Sequence, residues 1–141
     1  MDWGVVSYKT ARGVVPAEDF LDACPSGVEA TMLAVLQAVR AAPPPAFSGG
    51  GKWEAMHGTM GGYYEVRVTG PGRRQYRLFC RLDNGTPEEL EVRGFDRPVI
   101  AVITGMSKPI REVFSDADYK RHVRDLGDDY VNTLPRRIRT R

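Results

Sequence analysis

The residues with the most chemical content lie between Tyr63 and Leu82, in YYEVRVTGPGRRQYRLFCRL. From Val66 to Leu82 this stretch holds five arginines, Arg67, Arg73, Arg74, Arg77 and Arg81, and no acid. Tyr64, Val66 and Val68 alternate with Glu65, Arg67 and Thr69, and Tyr76, Leu78, Cys80 and Leu82 alternate with Arg77, Phe79 and Arg81. A period of two sends the two sets to opposite faces of a β-hairpin. Gly70-Pro71-Gly72 supplies the turn, because Gly tolerates positive φ and Pro fixes its own. Guanidinium forks on a rigid sheet suit an anionic, phosphate-bearing ligand. The competing reading is a solvated face of ordinary surface arginines, with Arg67 paired to Glu65.

Lys108 follows the apolar run VIAVIT (Val99–Thr104) as a strand-end cation. Such a lysine binds phosphate or, with a lowered pKa, transfers a proton; otherwise it merely flanks a helix. Tyr119 and His122 are three residues apart on the last expected helix and share a face. Near the sheet they form an acid/base pair; the alternative is a core Tyr119 and a surface His122. Asp118 either orients one of them or caps the helix. His57 sits in a glycine-flanked segment. No His or Cys pair has metal-ligand spacing, so neither metal nor cofactor is expected.

These residues need a scaffold. A chain of 141 residues with 42% hydrophobic and 27% charged content has the make-up of one globular domain. We therefore expect a single domain over 1–141, with 135–141 as a flexible basic tail. No apolar run approaches a membrane span and the N-terminus does not read as a signal peptide, so a cytoplasmic protein without membrane partners is expected. Cys24 and Cys80 read as reduced thiols. The net charge is +2, but it is segregated: basic in the hairpin, acidic over 83–96 and basic after Pro135. Such segregation allows a local positive field on a nearly neutral protein.

Trp3–Val15 reads as a strand with a bend at Arg12-Gly13. Pro16 and Pro25 sit where first helical residues belong. They predict a short helix through Ala23 and a second to about Ala41, with Val28, Met32, Val35 and Val39 on one stripe. Ala42–Gly51 is a loop, and Lys52–Gly62 opens with a helical turn. Asn84–Pro98 reads as an exposed, irregular excursion. Val99–Thr104 is a central strand buried on both faces. Ser115–Asp118 is a helix-start box for a helix carrying Tyr119, Val123, Leu126 and Tyr130. The fold class is α+β: a small, mostly antiparallel sheet of an N-terminal strand and a three-stranded meander, packed with two N-terminal helices and a C-terminal helix.

In this order the chain resembles the RelE/ParE superfamily of bacterial toxins, in its phage-derived, HigB-like branch. Glu65-Val66-Arg67 is similar to that family's Glu-Leu-Arg, and Tyr76-Arg77-Leu78-Phe79 to its Tyr-Arg-hydrophobic-aromatic block. Ile103-Thr104-Gly105-Met106-Ser107-Lys108 is similar to its Leu-His-Gly-Phe-x-Lys. Met106 replaces the usual Phe, and Pro109 stands where a second Lys is common. The resemblance implies a RelE-like fold and a type II toxin acting as a metal-independent endoribonuclease on messenger RNA at the ribosome. It implies a small antitoxin partner of the helix-turn-helix kind. Arg67 and Arg77 would clamp phosphate, with Lys108, Tyr119 and His122 completing the catalytic set. Arg73, Arg74, Arg81 and Arg111 would touch RNA. A gyrase inhibitor of the ParE kind and a non-enzymatic RNA-binding or regulatory module are the alternatives.

Overall fold

The structure, a computed structural model, describes residues 2–45 and 51–141. Part of the expected loop Ala42–Gly51 lies outside them. The elements run β1 (Gly4–Tyr8), α1 (Pro16–Ala23), α2 (Ser26–Ala41), β2 (Trp53–Ala55), β3 (Tyr63–Gly70), β4 (Arg74–Asp83), α3 (Pro87–Arg93), β5 (Val99–Pro109), α4 (Asp116–Tyr119), a π-helical turn (Lys120–Arg124), α5 (Asp125–Asn132) and β6 (Ile138–Thr140). The class is α+β. The sheet has six strands in the order β2-β3-β4-β5-β1-β6, larger than expected, and only the β1–β5 pairing is parallel.

The hairpin forms as its alternation demands, with Arg67 opposite Arg77 and Val66 opposite Leu78. One sheet face is covered by α1 and α2, whose Leu21, Met32, Leu36 and Val39 pack on Val66, Leu78, Cys80 and Ile100. The other carries Phe79, Ala101 and Ile103 beneath Leu90, Val123 and Tyr130. Pro16 opens α1, and the predicted α2 stripe is buried. Cys24 and Cys80 are unpaired, and burial pushes both thiols upward in pKa. No helix among the described residues is long and apolar enough to cross a membrane.

Four expectations change. The first strand stops at Tyr8, where Thr10 to Val14 turns the chain back. Trp53–Ala55 is an edge strand on β3 rather than a helical turn. The acidic excursion contains α3, with Thr86 and Glu89 in a reciprocal capping box, Pro87 in the first turn and Gly94 ending it at φ 93°. The basic tail forms β6, antiparallel to β1.

The tail docks because acids await it, one of them buried. Asp83, 6% exposed, accepts from Tyr130 Oη (2.6 Å), Arg93 Nη1 (2.7 Å) and Arg136 Nε (3.1 Å). Asp129 accepts from Tyr8 and Arg137, and Glu18 pairs with Arg139 at 3.2 Å and with Arg141 at 3.8 Å. Removing one member of a buried ionic cluster strands the others without water. Asp83→Ala should cost about 3–5 kcal/mol, measured by urea unfolding. Truncation after Leu134 should lower the urea midpoint in the same assay, whereas a flexible tail would leave it unchanged.

Candidate functional site

A change of register builds the site. Along β4–β5, Phe79 pairs with Thr104 but Cys80 pairs with Val102, leaving Ile103 as the extra residue of a β-bulge. A bulge resets which side chains share a face. Beyond it, Met106 lies opposite Arg77 and Lys108 opposite Gln75. Lys108 therefore joins the arginine face instead of the α1–α2 face. Gly105 turns to α1, where a Cβ would overlap the Phe20 ring.

On this face Glu65 lies between two guanidinium groups, 3.5 Å from Arg67 Nε and 3.7 Å from Arg77 Nε. Arg67 reaches out to Glu54 of β2 at 2.9 Å. Arg77 donates to Gln75 Oε1 (2.9 Å) and stacks over Phe114, its guanidinium carbon 5.6 Å from the ring centre. Lys108 Nζ pairs with Asp118 at 2.6 Å, donates to the Val113 carbonyl at 3.2 Å and lies 5.9 Å from the centre of the same ring. Tyr119 covers the group, stacked on Phe114 and edge-on to Phe79.

The electrostatics distinguish an inner pair from an outer one. Glu65 and Arg77 are 12% and 13% exposed, whereas Arg67 and Glu54 are 39% and 48% exposed. Burial raises the Glu65 carboxyl above its ordinary pKa, opposed by Arg77 and Arg67. Burial lowers Arg77, with Glu65 opposing and Arg67 adding repulsion. Burial raises Tyr119, reinforced by Glu65 and opposed by Arg77 and Arg67, so its hydroxyl keeps its proton at neutral pH. The outer Arg67–Glu54 pair is solvent-screened and worth roughly 0–1 kcal/mol, weak enough for an incoming phosphate to displace the acid.

Of the expected catalytic residues, Arg67, Arg77, Lys108 and Tyr119 come together. His122 does not: it is exposed, and in the π turn the residue four beyond Tyr119, the fully buried Val123, takes the place over the sheet. Asp118 both caps α4 with Ser115 and holds Lys108. Among the expected RNA contacts, Arg73 and Arg111 are exposed at the hairpin tip and the following loop, and Arg74 donates to Ser107 Oγ at 3.1 Å. Arg81 stacks on Tyr63, four residues down β4 and apart from the group. Sequence reasoning passed over Glu65 as a possible base, although its place one same-face step from Arg67 on the hairpin was the signal. Among the described residues no group of three or more His, Cys, Asp or Glu side chains is placed to hold a metal ion. Compared with protein-family models, curated proteins and solved structures, the chain matches none.

Lys108, with the Ser115 backbone N–H, holds the Asp118 carboxyl down at about 2, against 3.8 ordinarily. A depressed carboxyl stabilises the fold above its unfolded pKa, and that contribution disappears as pH falls through the folded value. The difference in urea midpoint between wild type and Asp118→Asn should be full above about pH 5. It should close as pH approaches 2.

Proposed function

We propose that this chain is a toxin of the RelE/ParE kind, a metal-independent endoribonuclease that cuts messenger RNA at the ribosome and is neutralised by a small helix-turn-helix antitoxin. The observation that carries the reading is Glu65 between Arg67 and Arg77, with Lys108 and Tyr119 against the same group. The element order, β1-α1-α2 and then the meander with β1 returning beside β5, supports a RelE-like arrangement.

The chemistry follows from the placement. A phosphodiester displaces Glu54 and takes bonds from Arg67 and Arg77. Glu65 accepts the ribose 2′-hydroxyl proton as the 2′-oxygen attacks phosphorus. The bond from phosphorus to the 5′-oxygen breaks, leaving a 2′,3′-cyclic phosphate, and the departing oxygen takes a proton from Lys108 or Tyr119. Donors aimed at the extra charge on the phosphorane contribute roughly 10²–10³ in rate each. Positioned proton transfer contributes roughly 10²–10⁴. A raised carboxyl pKa suits Glu65 to this work, because a base is most effective when its pKa nears the working pH.

One observation favours a second reading, a non-enzymatic RNA-binding or regulatory module. Arg67, Arg77 and Lys108 each face a carboxylate in Glu54, Glu65 or Asp118. Inducing the chain alone in a bacterial host, with primer extension on an abundant transcript, separates the two. The endoribonuclease predicts growth arrest and discrete new 5′ ends, both lost in Arg67→Ala/Arg77→Ala. Glu65→Gln should reduce cleavage by roughly 10²–10⁴ while leaving the protein folded. Arrest without cleavage would point to gyrase, and neither effect from a folded protein to the module.

A further inference from the structure

We infer that a second phosphate-binding site lies between the β1–α1 loop and the segment entering β6, where it holds the backbone of the RNA strand being cut. This rests on the RNA-directed reading above. Lys9, Arg12, Arg136 and Arg137 line a depression of about 700 Å³, together with Thr10 and Gly13, and no acid lines it. Asp83 and Asp129, which pair with Arg136 and Arg137, are not in the lining. Lys9 and Arg12 form no ion pair among the described residues. Arg137 Nε is buried and has no hydrogen-bond partner.

Internal hydrogen bonds fix the shape of the loop. Thr10 N donates to the Val14 carbonyl (2.8 Å), Gly13 N to the Thr10 carbonyl (2.9 Å) and Val14 N to Thr10 Oγ1 (3.1 Å). Gly13 takes φ +89°, which L side chains rarely adopt. Lys9 N donates to the Arg137 carbonyl at 3.0 Å, tying loop to tail. The concavity has the size of a nucleotide-scale site, and cations gathered in a concavity without acids focus a positive field. Every cation of the Arg67 group faces an acid, whereas Lys9 and Arg12 here face none; the Arg67 group is suited to chemistry and supplies little net attraction. Affinity for a polyanion comes from uncompensated cations, and in this depression Lys9 and Arg12 supply them.

Position agrees. β1 and β5 are parallel, with Ser7 opposite Val102, so Lys9 lies toward the end of the sheet that carries Lys108. Strand spacing puts the backbones of Lys9 and Arg77 on the order of 10 Å apart, within the span of a short oligonucleotide.

The test is fluorescence anisotropy with a labelled oligonucleotide carrying 2′-O-methyl groups throughout, which cannot be cut, titrated with the full chain at several salt concentrations. Lys9→Ala/Arg12→Ala should weaken binding about tenfold and reduce the salt slope by about 1.4, the value for two phosphate contacts on a single strand. Its urea midpoint should match wild type. Unchanged affinity and slope, with binding weakened in Arg67→Ala/Arg77→Ala, would overturn this site and leave the RNA reading standing. No binding by wild type would overturn both.

Discussion

One residue of slippage between β4 and β5 decides what this protein presents to solvent. Phe79 pairs with Thr104 and Cys80 with Val102. Without the extra Ile103, strict alternation would aim Met106 and Lys108 at α1 and α2, burying an ammonium beside Phe20 and Val68. With it, Lys108 stands on the face of Arg67 and Arg77, and Gly105 meets Phe20 with nothing to clash. A bulge costs a ladder hydrogen bond and increases local twist. Here it separates the inner half of β5, which builds both cores, from the outer half, which builds the site.

The second constraint is ionic. Phe114 and Tyr119 cover the arginines only because α4, the π turn and α5 lie against the sheet, and that segment is pinned at its far end by Tyr130 and Asp83. Arg93 and Arg136 complete the cluster, so α3 and β6 are fastened at the same point. Gly127 belongs to this fit: a Cβ there would collide with the Tyr63 hydroxyl. A buried ionic cluster contributes less to net stability than apolar packing of equal size, but it admits fewer arrangements. We read its role here as fixing where the C-terminal third lies.

Short-range signals in the sequence were reliable. Alternation placed Arg67, Arg77 and Arg81 on one hairpin face, and Pro16 with a 3.6-residue stripe placed α1 and α2. Thr86-Pro87-Glu88-Glu89 also carried a local signal, a capping box with Pro behind it, masked by reading the acids as a sign of irregular chain. What could not be read depended on partners distant in sequence. The bulge follows from how three strands register. β6 follows from Glu18, Asp83 and Asp129, which turn a run of arginines from a solvated tail into an edge strand. His122 shows a limit of spacing arguments, because a π turn re-phases the helix where the site is built. Glu54 reaches Arg67 only because Trp53–Ala55 is a strand.

We propose that Glu65, Arg67 and Arg77 act together on a phosphodiester through its neighbouring 2′-hydroxyl. The most direct measurement is the chemistry of the RNA ends formed when the purified protein is added to a translation extract with a defined transcript. The expected products carry 5′-hydroxyl and 2′,3′-cyclic phosphate ends, with no cut at a position where a single 2′-deoxy nucleotide has been placed. Cleavage at the deoxy position, or ends bearing a 5′-phosphate, would contradict it.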